Sequence, residues 1–132
     1  MRKSLRMGLI LLAVAAFHSG CEDSYGPAGC TQIGCGTRNG LEIELDDDLP
    51  ENLTLTIQLE GPSTIVIECS EDQPCGDRIF LADFTPSHVM VTVTAESLEF
   101  TAEFALAYQI TYPNTPDCPP ECKRATIVVS AP

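Results

Sequence analysis

Past Gly40 the chain alternates apolar and polar residues with a period of two. Leu41, Ile43 and Leu45 alternate with Glu42 and Glu44. Leu53, Leu55, Ile57 and Leu59 alternate with Thr54, Thr56, Gln58 and Glu60, and Val89, Val91, Val93 and Ala95 with Met90, Thr92, Thr94 and Glu96. The longest run sets Leu98, Phe100, Ala102, Phe104, Leu106, Tyr108, Ile110 and Tyr112 on one face. Shorter β-rich runs cover Ser63–Cys69, Arg78–Leu81 and Ala125–Ser130. Successive side chains of a strand point to opposite faces, so these patterns predict half-buried antiparallel strands.

Turn residues separate the runs: Asp46-Asp47-Asp48-Leu49-Pro50, Gly61-Pro62, Asp72-Gln73-Pro74, Thr85-Pro86 and Pro113-Asn114. About seven short strands with breakers between them predict an all-β fold, a single antiparallel two-sheet β-sandwich. The segment 101–109 also has fair helix propensity. Alternation over eight positions outweighs it, with a bulge expected near Ala105–Ala107, because so long a straight strand would be unusual.

The first residues differ in kind. A basic stretch with Arg2, Lys3 and Arg6 precedes an apolar run from Met7 to Phe17. That run is too short to span a bilayer, which takes about 20 helical residues, and it suits an export signal. Ser19-Gly20-Cys21 resembles the lipobox of bacterial lipoproteins, with His18 standing where that family prefers an aliphatic residue. The resemblance implies cleavage before Cys21 and lipid on its new N-terminus. The alternative is an ordinary signal, cut for instance after Ala13-Val14-Ala15, which would release a secreted protein.

Cysteine parity bears on that choice. The seven cysteines are Cys21, Cys30, Cys35, Cys69, Cys75, Cys118 and Cys122. Lipidation of Cys21 leaves an even six for disulfides. The expected organisation is a leader over 1–20, a lipidated cysteine and flexible tether over 21–36, and a stapled sandwich over 37–132. The expected location is the bacterial cell envelope, on the inner or outer membrane, with the lipid as the membrane contact.

Six thiols allow 15 connectivities. Local pairing is expected for Cys69–Cys75, across one loop between strands. For Cys30, Cys35, Cys118 and Cys122 two readings stay open: local pairs, or cross-links between the two couples. Both couples sit just before strands expected to form sheet edges, and the first and last strands of such sandwiches often lie side by side. Zinc is disfavoured by the missing C-x2-C spacing, and thiol redox catalysis by the missing C-x-x-C motif.

The chain of 132 residues suits one domain. Its formal charge of −12 combines 19 acidic with 7 basic residues, and loss of the leader's three would bring it to −15. Such a surface repels nucleic acid and anionic headgroups. Tryptophan is absent, and His88 is the single histidine past the leader. Ser87, His88 and an acid can be drawn as a triad on paper, but G-x-S-x-G, P-loop, H-E-x-x-H and S-x-x-K patterns are missing. The Gly34, Gly36 and Gly40 cluster precedes no helix and reads as a loop. Asn52-Leu53-Thr54 fits a glycosylation sequon, which carries no meaning in a bacterial chain. Asp46, Asp47, Asp48 and Glu51 could offer oxygens to Ca²⁺. Adjacent side chains diverge, however, and a solvated turn that discourages edge pairing is the simpler reading.

The stretches VTVTAES, AYQITYPNTPDCPPEC and ATIVVSAP resemble small lipoproteins of the myxobacterial kind. Their domains are similar to the carboxypeptidase regulatory-like, or transthyretin-like, β-sandwich. The resemblance covers residues 41–132. It implies architecture and supplies no catalytic residues. The expected function is therefore a non-enzymatic structural or protein-interaction module without cofactor, facing an unknown protein or envelope partner. A small ligand- or Ca²⁺-binding module is the alternative.

Overall fold

The computed structural model describes Cys30 and residues 33–132. The leader, Cys21 and most of the expected tether lie outside the described residues. Among the described residues, eight strands follow a short 3-10 turn at Gly36–Arg38: β1 (Gly40–Leu45), β2 (Leu53–Leu59), β3 (Thr64–Cys69), β4 (Arg78–Ala82), β5 (His88–Ala95), β6 (Leu98–Ala105), β7 (Gln109–Thr111) and β8 (Cys122–Val129). They form two four-stranded sheets, β4-β1-β8-β7 and β3-β2-β5-β6. The protein is a two-sheet β-sandwich.

The alternation read from the sequence marks the interior. Leu41, Ile43, Leu55, Ile57, Val89, Val91, Val93 and Val129 are fully buried, and Leu53, Ala125 and Ile127 nearly so. The two sheets supply these side chains from their facing surfaces, as a sandwich core requires. β-branched residues dominate the inward positions of β5 and β8, where they fit the pleated surface.

Two features depart from the expectation. The pairing is antiparallel except between β1 and β8, which run parallel from Gly40↔Arg124 to Leu45↔Val129. A parallel pair needs a long connection, and nearly the whole domain supplies it. The second departure is the long run from Leu98. It is split: β6 belongs to one sheet and β7 to the other, with Leu106–Tyr108 turning the corner. The Leu106 amide donates to the Ser87 carbonyl at 2.9 Å, and the Tyr108 hydroxyl donates to the Pro86 carbonyl. Leu106 and Tyr108 still pack on the core, so alternation survives the change of sheet. Beyond the corner it no longer buries anything: Ile110 and Tyr112 are exposed, against their expected place in the core.

Gly40 opens β1 with φ +145°, and a Cβ there would lie 2.2 Å from the Leu81 carbonyl oxygen. Only glycine lets β1 come this close to β4.

Candidate functional site

The parallel β1–β8 pair gives the molecule two distinct ends. Both strands start at one end, where the 3-10 turn and the loop before β8 meet, and finish at the other.

Disulfides gather at the starting end. Cys30 bonds Cys118 and Cys35 bonds Cys122, with sequence separations of 88 and 87. Of the two readings left open, the structure takes the cross-links, because β1 and β8 lie side by side, as the central strands of their sheet and not as its edges. Asn114 reinforces this clasp: its Oδ1 accepts the Ile33 amide at 3.2 Å, and its Nδ2 donates to the Ile33 and Pro119 carbonyls at 3.0 and 2.7 Å. Asn39 adds a further tie, its Oδ1 accepting the Lys123 amide at 2.9 Å. Cys30 and Cys35 are therefore each joined to the sandwich by a bridge. Cys69–Cys75 closes the expected local loop, at the opposite end.

That opposite end is acidic. A cavity of 410 Å³ there is lined by Asp46, Asp47, Glu51, Glu71 and Asp77, by Leu45, Leu49 and Leu53, and by the Cys69–Cys75 bridge. Asp46, Asp47, Asp48 and Glu51, the candidate Ca²⁺ ligands, all belong to the β1–β2 loop. The backbone of this loop closes its own turn. The Asp46 Oδ1 accepts the Asp48 amide at 3.1 Å, and the Asp46 carbonyl accepts the Leu49 amide at 3.0 Å. An aspartate that caps its own turn in this way is a local backbone device. Among the described residues no three His, Cys, Asp or Glu side chains converge as a metal-holding group.

The outer face of the first sheet holds a feature the sequence reading missed. Glu42 is only 6% exposed although it points away from the core. Arg124 on β8 pairs with its Oε2, and Arg78 on β4 approaches its Oε1 at 3.4 Å. Arg124 also donates to the Thr37 carbonyl at 3.1 Å and lies 5.5 Å from the centroid of the Phe80 ring. The carboxylate is thus covered by two guanidinium groups and satisfied by them, as a buried charge must be. Arg78 reaches Glu44 as well, at 3.3 Å. The available signal was three charged or aromatic residues at outward positions of strands that become neighbours.

Ser87 and His88, the triad candidates, have separate partners. The His88 Nε2 lies 2.8 Å from a Glu103 oxygen across β5 and β6, whereas the Ser87 hydroxyl donates to Glu60 at 3.5 Å. At the clasp end the Tyr112 hydroxyl donates to Glu121 at 3.3 Å. The Glu121 charge, then burial and this hydrogen bond, raise the Tyr112 pKa.

Comparison with family models, with curated proteins and with solved structures found no match.

Proposed function

We propose that the chain is an exported lipoprotein of the bacterial envelope: a non-enzymatic sandwich, held to its membrane by lipid on Cys21, that serves as a structural or protein-interaction module. Similarity to small lipoprotein sandwiches of the carboxypeptidase regulatory-like kind belongs to the same reading. The observation that carries it is the cysteine balance. Three disulfides use all six cysteines after Cys21, which leaves that one sulfur unassigned. Disulfides are compatible with an extracytoplasmic location, where thiols oxidise. The separate partners of Ser87 and His88 favour a binding role over nucleophilic catalysis, because a nucleophile and its base must share a hydrogen bond.

Fractionation of cells expressing the native chain and a Cys21→Ala variant tests the anchor. The native protein is expected in the membrane fraction after a salt wash, and the variant in the soluble or uncleaved fraction. A Cys21→Ala protein that is processed and still partitions with membranes would overturn the reading.

A further inference from the structure

The two ends of the sandwich differ in charge and in how many apolar side chains they expose, and the bonded Cys30 lies at only one of them. Past Cys21 the basic residues are Arg38, Arg78, Lys123 and Arg124. Three of them, Arg38, Lys123 and Arg124, lie at the clasp end beside Glu60, Asp83, Glu103, Asp117 and Glu121, whereas Arg78 alone stands among the carboxylates of the other end. The cavity at the opposite end is ringed by carboxylates.

The clasp end also carries exposed apolar side chains. Ile33 and Ile110 are each 49% exposed and Tyr112 is 40% exposed. Ile33 is held there by Asn114, two residues after Tyr112, and Ile110 sits opposite Lys123 in the β7–β8 register. Tyrosine with a hydrogen-bonded hydroxyl and an apolar ring suits the boundary between water and hydrocarbon. Other exposed apolar residues stand apart from one another: Val66 and Met90 among threonines and glutamate on an outer sheet face, and Val128, 53% exposed, alone beside Asp46, Asp47 and Asp77 toward the acidic end.

Chain length fixes the third constraint. Cys30 is bonded into the clasp, and nine residue steps separate it from Cys21. At roughly 3.5 Å per step the clasp lies within about 32 Å of the anchored sulfur. A domain tethered so closely must turn some face to the headgroups. Presenting the acidic end would set carboxylates against a surface that is itself commonly anionic.

We propose that the clasp end rests on the lipid surface, with Ile33, Ile110 and Tyr112 in the interfacial layer and the acidic end turned outward. This rests on the lipid anchor of the preceding section. The partner is a bilayer surface, engaged by shallow insertion of side chains. The acidic end, with the Asp46–Glu51 loop, then faces whatever lies beyond the membrane.

The chain has no tryptophan, so one introduced at a time is a clean reporter. Full-length acylated protein carrying Tyr112→Trp, Ile110→Trp or Asp72→Trp is reconstituted in phosphatidylcholine vesicles with and without brominated acyl chains. Intact mass confirms the acyl group in each sample. Bromine should lower the emission of the Tyr112→Trp and Ile110→Trp proteins about twofold, as expected for shallow insertion, and leave that of Asp72→Trp unchanged. Equal emission with and without bromine in all three acylated proteins would overturn the orientation while leaving the anchor intact. Stronger quenching of Asp72→Trp would overturn it as well. Full-length protein isolated from its own membrane whose intact mass shows no acyl group on Cys21 would overturn the anchor itself.

Discussion

Arg124 on β8 sets its guanidinium on the carboxylate of Glu42 on β1, whose side chain is only 8% exposed, so the parallel pair at the centre of the first sheet is also an ion pair. Arg78 completes the cover from β4. Both arginines remain partly solvated, which puts the interaction between a surface bridge and a buried one. Arg124→Met should therefore cost about 1–3 kcal/mol in urea denaturation, because it strips one of two counter-charges from a carboxylate held out of water. The Glu42→Met, Arg124→Met double variant should lose less than the two single losses added together, since no uncompensated charge remains. Strict additivity would show that the two residues do not act as a pair.

The two clasp disulfides should behave non-additively. Either bridge alone closes a loop of nearly 90 residues, worth about 4.6 kcal/mol on loop entropy. With one bridge in place, the second closes only the small ring through Cys30–Cys35 and Cys118–Cys122, worth about 2.5 kcal/mol. Removing Cys35–Cys122 as a serine pair should thus cost about 2.5 kcal/mol, and removing both bridges about 7 kcal/mol. Chemical denaturation of the three proteins checks the ratio. Equal losses from the first and second deletions would contradict the concentric arrangement.

How much of this could be read in advance follows from what alternation encodes. It marks faces, and in β1, β2, β5 and β8 the inward residues it marks are the buried ones. It does not say to which sheet a residue belongs. Leu106 and Tyr108 face the core on either side of the switch between sheets, so the split of the long run left no trace in the pattern. Burial of Glu42 was equally hidden, because its cover comes from Arg78, Phe80 and Arg124, distant in sequence. The Cys69–Cys75 bridge was legible from one loop. The clasp was not, since choosing between its two connectivities requires knowing that β1 lies beside β8.

Alkaline pH should weaken the fold through Tyr108. Partial burial raises its pKa above the usual 10.0, and its hydroxyl donates to the Pro86 carbonyl at the corner between β6 and β7. Above pH 10 the unfolded chain releases this proton while the folded chain still holds it. The unfolded state then binds fewer protons, so stability falls as pH rises. The loss begins near the unfolded value and continues up to the raised folded one. Comparing melting curves at pH 8 and pH 10.5 for the native protein and Tyr108→Phe isolates this contribution. The variant should show the smaller drop, and an equal drop would remove Tyr108 as the cause.

The acidic end should respond to ionic strength and not to calcium as such. Asp46, Asp47, Glu51, Glu71 and Asp77 surround one cavity without converging on a point, and Asp46 is occupied with its own turn. Screening relieves their mutual repulsion whatever the salt. Melting temperature should rise on adding either CaCl₂ or NaCl, and to the same extent at equal ionic strength. A saturable extra shift with Ca²⁺ of the form RT ln(1 + [L]/Kd) would identify a metal site after all.

The central claim joins a feature of the structure to the proposed anchor: every cysteine from Cys30 onward is disulfide-bonded, and Cys21 is proposed to carry lipid. Intact mass spectrometry of protein extracted from native membranes reads both at once. The account predicts a chain beginning at Cys21, heavier by its acyl groups, and lighter by six hydrogens than the fully reduced form. A species that keeps Met1, or one that takes up alkylating reagent at the other six cysteines without prior reduction, would contradict it.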